Sequence, residues 1–237
     1  MANGCITSLS SPLQLRGPAN EVSNSDLAHR AIEEIRAVFD RIAHAAASDS
    51  ANAAGATDDA AKGDPFETLV KEIVSAKDGK IALYGVGREG LMMRALAMRL
   101  YHLGLQASVV GDMSCPPIGP GDLLLVSAGP GRFSTVEALL REARSAGART
   151  AVITAQPSGD CARLADRVVY IPAQTMADDL VSGEGRDRVE IEDDGVLPMG
   201  SVYEGVLFVL GEVVVRLLRD NLGETKESMR VRHTNLE

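Results

Sequence analysis

The sequence predicts an α/β three-layer sandwich: a five-stranded parallel sheet with helices on both faces, flanked by N- and C-terminal helices. Three observations carry this. Short apolar runs, "KIALYG", "ASVVG", "DLLLVSA", "TAVITA" and "RVVYIP", alternate with helical patterns at Leu91 to Leu103, Ser134 to Ala146 and Gly159 to Ala165. Such alternation implies right-handed crossovers between parallel strands. Aromatic residues make up only 3% of the chain and Trp is absent, so the core must be built from Ala, Leu, Val, Ile and Met, which suits strands covered on both faces. Finally, two glycine-rich turns each join an apolar run to a helix, as a doubly wound sheet requires.

The elements follow in order. The first twenty residues lack acids and hold a single Arg, too few for an organellar transit peptide, so residues 1–24 are expected to be a flexible N-terminus. Ser25 to Ala47 has a Ser cap and apolar residues at helical spacing (Leu27, Ile32, Ile35, Val38, Phe39, Ile42) and is expected to be an amphipathic helix. Residues 48–64 are small and polar, the composition of a flexible insertion. "PFETLVKEIVSAK" opens with Pro65 at a helix N1 position. After the alternating region, residues 182–195 are charged and glycine-rich and read as a surface loop. The long segment "MGSVYEGVLFVLGEVVVRLLRDNLG" is apolar on more than one face, which predicts a buried helix at a subunit interface. Residues 25–237 then form a single domain, and 237 residues suffice for a substantial core.

Charge and cysteine content bound the function. A net charge of −9 argues against a nucleic-acid or anionic membrane surface, and no apolar run approaches the roughly 18 residues that span a bilayer. Cys5, Cys115 and Cys161 are too few and too scattered for a disulfide framework or a metal site, which points to a reducing, cytoplasmic compartment.

The chemistry is concentrated in the two glycine loops. Gly85, Gly87 and Gly90 satisfy G-x-G-x-x-G, with Asp112 after the next strand, a dinucleotide fingerprint if taken literally. That reading lacks a second half with a catalytic constellation, and Arg88 and Glu89 stand where a pyrophosphate would lie. The second loop, "SAGPGRFST", adds Gly129, Gly131 and Arg132 to hydroxyls at Ser127, Ser134 and Thr135. Both loops lead into helices whose N-terminal N–H groups face the carboxyl ends of the strands. Paired loops of this kind suit one small phosphate better than a dinucleotide.

Together, "GREGLMMRALAMRLYHLG", "VSAGPGRFSTVEALLREAR", "LPMGSVYE" and "RVRHTNLE" resemble the 6-phospho-3-hexuloisomerases, members of the sugar isomerase (SIS) domain group. The resemblance implies a flavodoxin-like sandwich binding a phosphosugar over its strand ends, and a homo-oligomer, dimer or tetramer, with sites at subunit interfaces. It implies interconversion of 3-hexulose 6-phosphate and fructose 6-phosphate through an enediol, with no metal and no cofactor. By position, Glu204 matches the family's base and His233 its C-terminal histidine, which would open the sugar ring or polarise its oxygens. The ligand cradle is then Gly85, Gly87, Arg88, Glu89, Gly90, Ser127, Gly129, Gly131, Arg132, Ser134 and Thr135. His102, on an apolar helix, reads as a packed core or interface residue.

Two departures from the family pattern stand out. Glu89 replaces a serine of the first loop, where it either turns outward or pairs with Arg88 or Arg132. Pro130 and Phe133 replace hydroxyl residues of the second. Arg88 either binds phosphate or pairs with a carboxylate internally. The alternative function is accordingly a SIS-domain sensor that binds a sugar phosphate without turning it over.

Overall fold

The structure, a computed structural model, describes residues 22–51, 63–176 and 195–236. Expectations for the N-terminal residues 1–21, for 52–62 of the polar insertion and for 182–194 of the charged loop lie outside these residues. The elements run α1 (Asn24–Ala51), α2 (Pro65–Ser75), β1 (Lys80–Gly85), α3 (Gly87–His102), β2 (Gln106–Val109), β3 (Leu123–Ser127), α4 (Ser134–Ser145), β4 (Arg149–Thr154), α5 (Asp160–Leu164), β5 (Arg167–Tyr170), α6 (Ser201–Asn221) and α7 (Lys226–Val231).

All five strands are parallel, in the order β2-β1-β3-β4-β5. Strand order therefore reverses between β1 and β3, and the crevice beyond their carboxyl ends is where a ligand binds in such a sheet. The two glycine loops leave these two strands. The sheet core follows from period-two alternation. Ile81, Leu83, Leu123, Leu125, Ala151 and Ile153 pack with α1, α2, α3 and α6, while Ala82, Leu124, Val126 and Val152 pack with α4 and α5. Every residue of β3 is buried, as a central parallel strand should be.

Local chemistry fixes the element ends. Asp64 caps α2 by accepting from Phe66 N (2.7 Å), and Pro65 occupies N1. Asp122 accepts from Lys80 N (2.7 Å) and Gly119 N (2.8 Å), tying the starts of β1 and β3 together. The first helix continues to Ala51, into the segment expected to be a flexible insertion.

The C-terminus around His233 is anchored to the domain. Thr225 and Ser228 form a reciprocal capping box that starts α7. Arg232 then pairs with Glu224 (2.8 Å) and donates to the carbonyl of His102 (2.9 Å). These contacts seat the His233 ring on that of His102, with centroids 5.1 Å apart.

Candidate active site

At the switch point, the turn from β1 into α3 needs two features of glycine. Gly87 has φ +60°, in the left-handed region. A Cβ on Gly90 would stand 2.5 Å from Gly85 O, so this pair brings the first turn of α3 hard against the strand end. That approach aims residue 89 into the molecule. Sequence logic expected Glu89 to face solvent or to pair with an arginine; instead it is only 5% exposed. Its Oε2 accepts from Ser127 Oγ (2.5 Å) and Gly129 N (3.0 Å). Two donors assigned to a phosphate are thus already held by a carboxylate of the chain.

The entry to α6 supplies the second carboxylate. Met199 (φ +56°) and Gly200 (φ +79°) both adopt left-handed backbone, and this turn puts Tyr203 and Glu204 in the first turn of α6, facing the crevice. Tyr203 is buried; its hydroxyl donates to Ile153 O (3.0 Å) and lies 3.1 Å from Ser127 Oγ. Arg88 has internal partners. It donates to Met199 O (2.5 Å) and Ser201 Oγ (2.8 Å), and its Nη2 stands 3.1 Å from Glu204 Oε2. That contact is an ion pair without hydrogen-bond alignment, and Glu204 Oε2 is buried with no hydrogen-bond partner.

Arg88, Glu89, Tyr203 and Glu204 line a cleft of about 270 Å³ together with Val86, Gly87, Pro130, Phe133, Thr175, Met176 and Gly200, with Ser127 and Gly129 buried behind Glu89. Larger hollows lie along edge strand β2 and around His233, neither of them at the β1–β3 switch point. Burial pushes the Glu204 carboxyl above its ordinary value, opposed by the Arg88 charge. Burial likewise raises Glu89, opposed by the hydrogen bonds from Ser127 and Gly129 and reinforced by the Glu204 charge. Two carboxyls raised above their ordinary value beside one arginine are candidates for proton transfer.

The remaining expected residues are spread around this cleft. Gly131 packs against Gln156, and Arg132 turns to Glu137 (3.7 Å) and Asp160 (3.5 Å). Ser134 and Thr135 are exposed at the start of α4, which has no side-chain cap. Asp112, the fingerprint acid, pairs with Arg94 (3.3 Å). His233 is not brought to Glu204: it sits at the far end of α3, and about 20 Å of helix separates Arg88 from His102. His102 itself is buried, as expected. Tyr203, Thr175 and Met176 were missed. A Tyr beside the family base was a signal, because a buried phenol needs a polar partner.

Residues 72–182 match the SIS domain model. The chain is 41% identical over 180 residues to the 3-hexulose-6-phosphate isomerase of Mycobacterium gastri, covering 76% of this chain and 85% of that one. The chain belongs to the family of SIS-domain 3-hexulose-6-phosphate isomerases. The Methylomonas aminofaciens isomerase of the same name is 35% identical, covering 73% and 88% of the two chains. Among solved structures, a Methanococcus jannaschii protein with an inferred 3-hexulose-6-phosphate isomerase function superposes with a TM-score of 0.64. It is 25% identical, and the match covers 86% of this chain and 99% of that one. The five-stranded parallel architecture agrees with this family fold.

Proposed function

We propose that this protein interconverts 3-hexulose 6-phosphate and fructose 6-phosphate in the cleft between the two glycine loops. The observation that carries the proposal is Glu204. It is a largely buried carboxylate whose Oε2 takes no hydrogen bond and is ion-paired to a single arginine, at the switch point of a chain 41% identical to such an isomerase. In this reading the sugar phosphate lies across the N-termini of α3 and α4.

Glu204 as carboxylate takes the proton from C2, leaving an enediolate across C2 and C3; the hydroxyl proton passes from O2 to O3, and Glu204 returns its proton to C3. The carbonyl thereby moves from C3 to C2. Arg88 offsets negative charge developing beside it. Such proton transfer by a positioned base contributes about 10²–10⁴-fold.

The same reading makes the protein a cytoplasmic homo-oligomer. Phe208, Val209, Val213 and Leu217 on α6 are exposed apolar residues of one helix, and Leu91, Met98 and Tyr101 extend the apolar surface on α3. In such an assembly His233 serves the cleft of a neighbouring copy, since it is distant from Glu204 in its own chain. A binding-only sensor is not favoured, because relatives matched over most of the chain are isomerases by name. The test is to add fructose 6-phosphate and follow its 3-hexulose isomer by ¹³C NMR: appearance of the isomer supports the proposal, and saturable binding without turnover overturns it in favour of the sensor.

A further inference from the structure

The isomerisation above makes no use of Glu89, although it is the more buried of the two carboxyls in the cleft. Its Oε2 sits on Ser127 Oγ–H and Gly129 N–H, two donors buried behind it at the end of β3. A ligand oxyanion displacing the Glu89 carboxylate would compete for those two donors. Among the described residues lining the cleft, Arg88 is the one cation, set against the carboxylates of Glu89 and Glu204. With both acids charged, a dianionic phosphate would meet a wall of net negative charge in a partly desolvated space, where repulsion is strong.

The hydrogen-bond chain beneath Glu89 can take up an extra hydrogen. Tyr203 donates to Ile153 O and Ser127 donates to Glu89, so with Glu89 charged the 3.1 Å contact between Ser127 and Tyr203 holds no hydrogen. With a proton on Glu89, donation runs from Glu89 to Ser127, on to Tyr203 and then to Ile153 O, and every contact is filled. The titratable and charged groups facing Glu89 are Tyr203 and Glu204 from α6, Cys161 from α5 and Arg88 from its own helix. Burial raises both Tyr203 and Cys161, which keeps them neutral, and leaves Glu204 as the competing acceptor for a proton.

We infer that Glu89 is an internal anion seated in the phosphate cradle, and that this chain binds a sugar phosphate with uptake of a proton on that carboxylate. The inference rests on the sugar-phosphate reading of the cleft. The proton comes from solvent, the carboxylate becomes a carboxylic acid, and no bond of the ligand breaks. Glu89 thereby sets a pH dependence of binding that a serine at this position would not impose.

The experiment is calorimetric titration of wild type, Glu89→Gln, Glu89→Ser and Glu204→Gln with fructose 6-phosphate and, separately, with sulfate, which stays a dianion across the range. Each titration is run in buffers of different ionisation heat. Wild type and Glu204→Gln are expected to take up a proton at pH 8, with affinity falling about tenfold per pH unit above the Glu89 pKa. Glu89→Gln and Glu89→Ser are expected to bind without proton uptake, independently of pH, and at least about tenfold more tightly at pH 8. Uptake that persists in both Glu89 variants but vanishes in Glu204→Gln assigns the proton to Glu204 and overturns the inference. So do weaker binding by both Glu89 variants, or binding by wild type with no uptake; either leaves the sugar-phosphate reading standing. Failure of wild type and both Glu89 variants to bind fructose 6-phosphate removes that reading and the inference with it.

Discussion

Replacing Arg88 by Gln tests how the cleft holds its base ready. The guanidinium stands 3.1 Å from Glu204 Oε2; the Arg88 side chain is 50% exposed and that of Glu204 16%. At this distance Coulomb's law gives about 5 kcal/mol at an effective dielectric of 20 and about 1.3 kcal/mol in water. With half of the arginine in solvent, the watery end of that range applies, about 1 kcal/mol. Loss of the cation removes that stabilisation of the carboxylate and raises the Glu204 pKa further. Glu204 must be ionised to act as base, so the acid limb of the kcat/KM profile for fructose 6-phosphate moves to higher pH. Arg88→Gln also loses the bonds to Met199 O and Ser201 Oγ, so a melting curve run alongside is expected to fall by a few degrees. An acid limb that stays in place, or moves to lower pH, in a folded variant refutes the argument.

Three further outcomes are expected. The folded-state pKa of Glu89 is raised, so its contribution to stability is present at acid pH and lost as pH rises through that value; Glu89→Gln therefore melts above wild type at pH 8, with the gap closing towards pH 5. Gly129→Ala places a Cβ 2.9 Å from two ring carbons of Tyr203 and is expected to cost about 1–3 kcal/mol, read as a lower Tm and a lower turnover. For Asp122, burial raises the carboxyl, but the Lys80 and Gly119 N–H bonds and the Lys80 charge outweigh it and leave the pKa lowered. Its stabilisation is thus present at neutral pH and lost as pH falls below about 4, and Asp122→Ala should abolish that part of the acid transition in a denaturant titration.

The sheet was legible because buried parallel strands are continuous aliphatic runs. "KIALYG" coincides with β1, and the other four runs overlap β2 to β5 to within a few residues. Helix α7 was not, because a short capped turn carries no apolar periodicity; its Thr225 to Ser228 box and the Arg232 clasp depend on Glu224 and His102. In the site, Glu204 was reachable by family resemblance, and the Arg88 pairing was one of two options left open. Glu89 was misjudged for a physical reason. A charged residue in a glycine loop ordinarily turns to solvent, and only the close approach of Gly85 and Gly90 rolls the first turn of α3 so that residue 89 points at Ser127. His233 shows the opposite limit, since its distance from Glu204 follows from the length of α3 and from where α7 docks.

The most direct test of the account is the isomerase rate of Glu204→Gln, a change that keeps the shape and removes the base. The variant is expected to retain the wild-type circular dichroism spectrum and to bind fructose 6-phosphate. Its conversion of that sugar to 3-hexulose 6-phosphate, followed by NMR, should slow by about 10²–10⁴-fold. Conversion by a folded Glu204→Gln at the wild-type rate would contradict it.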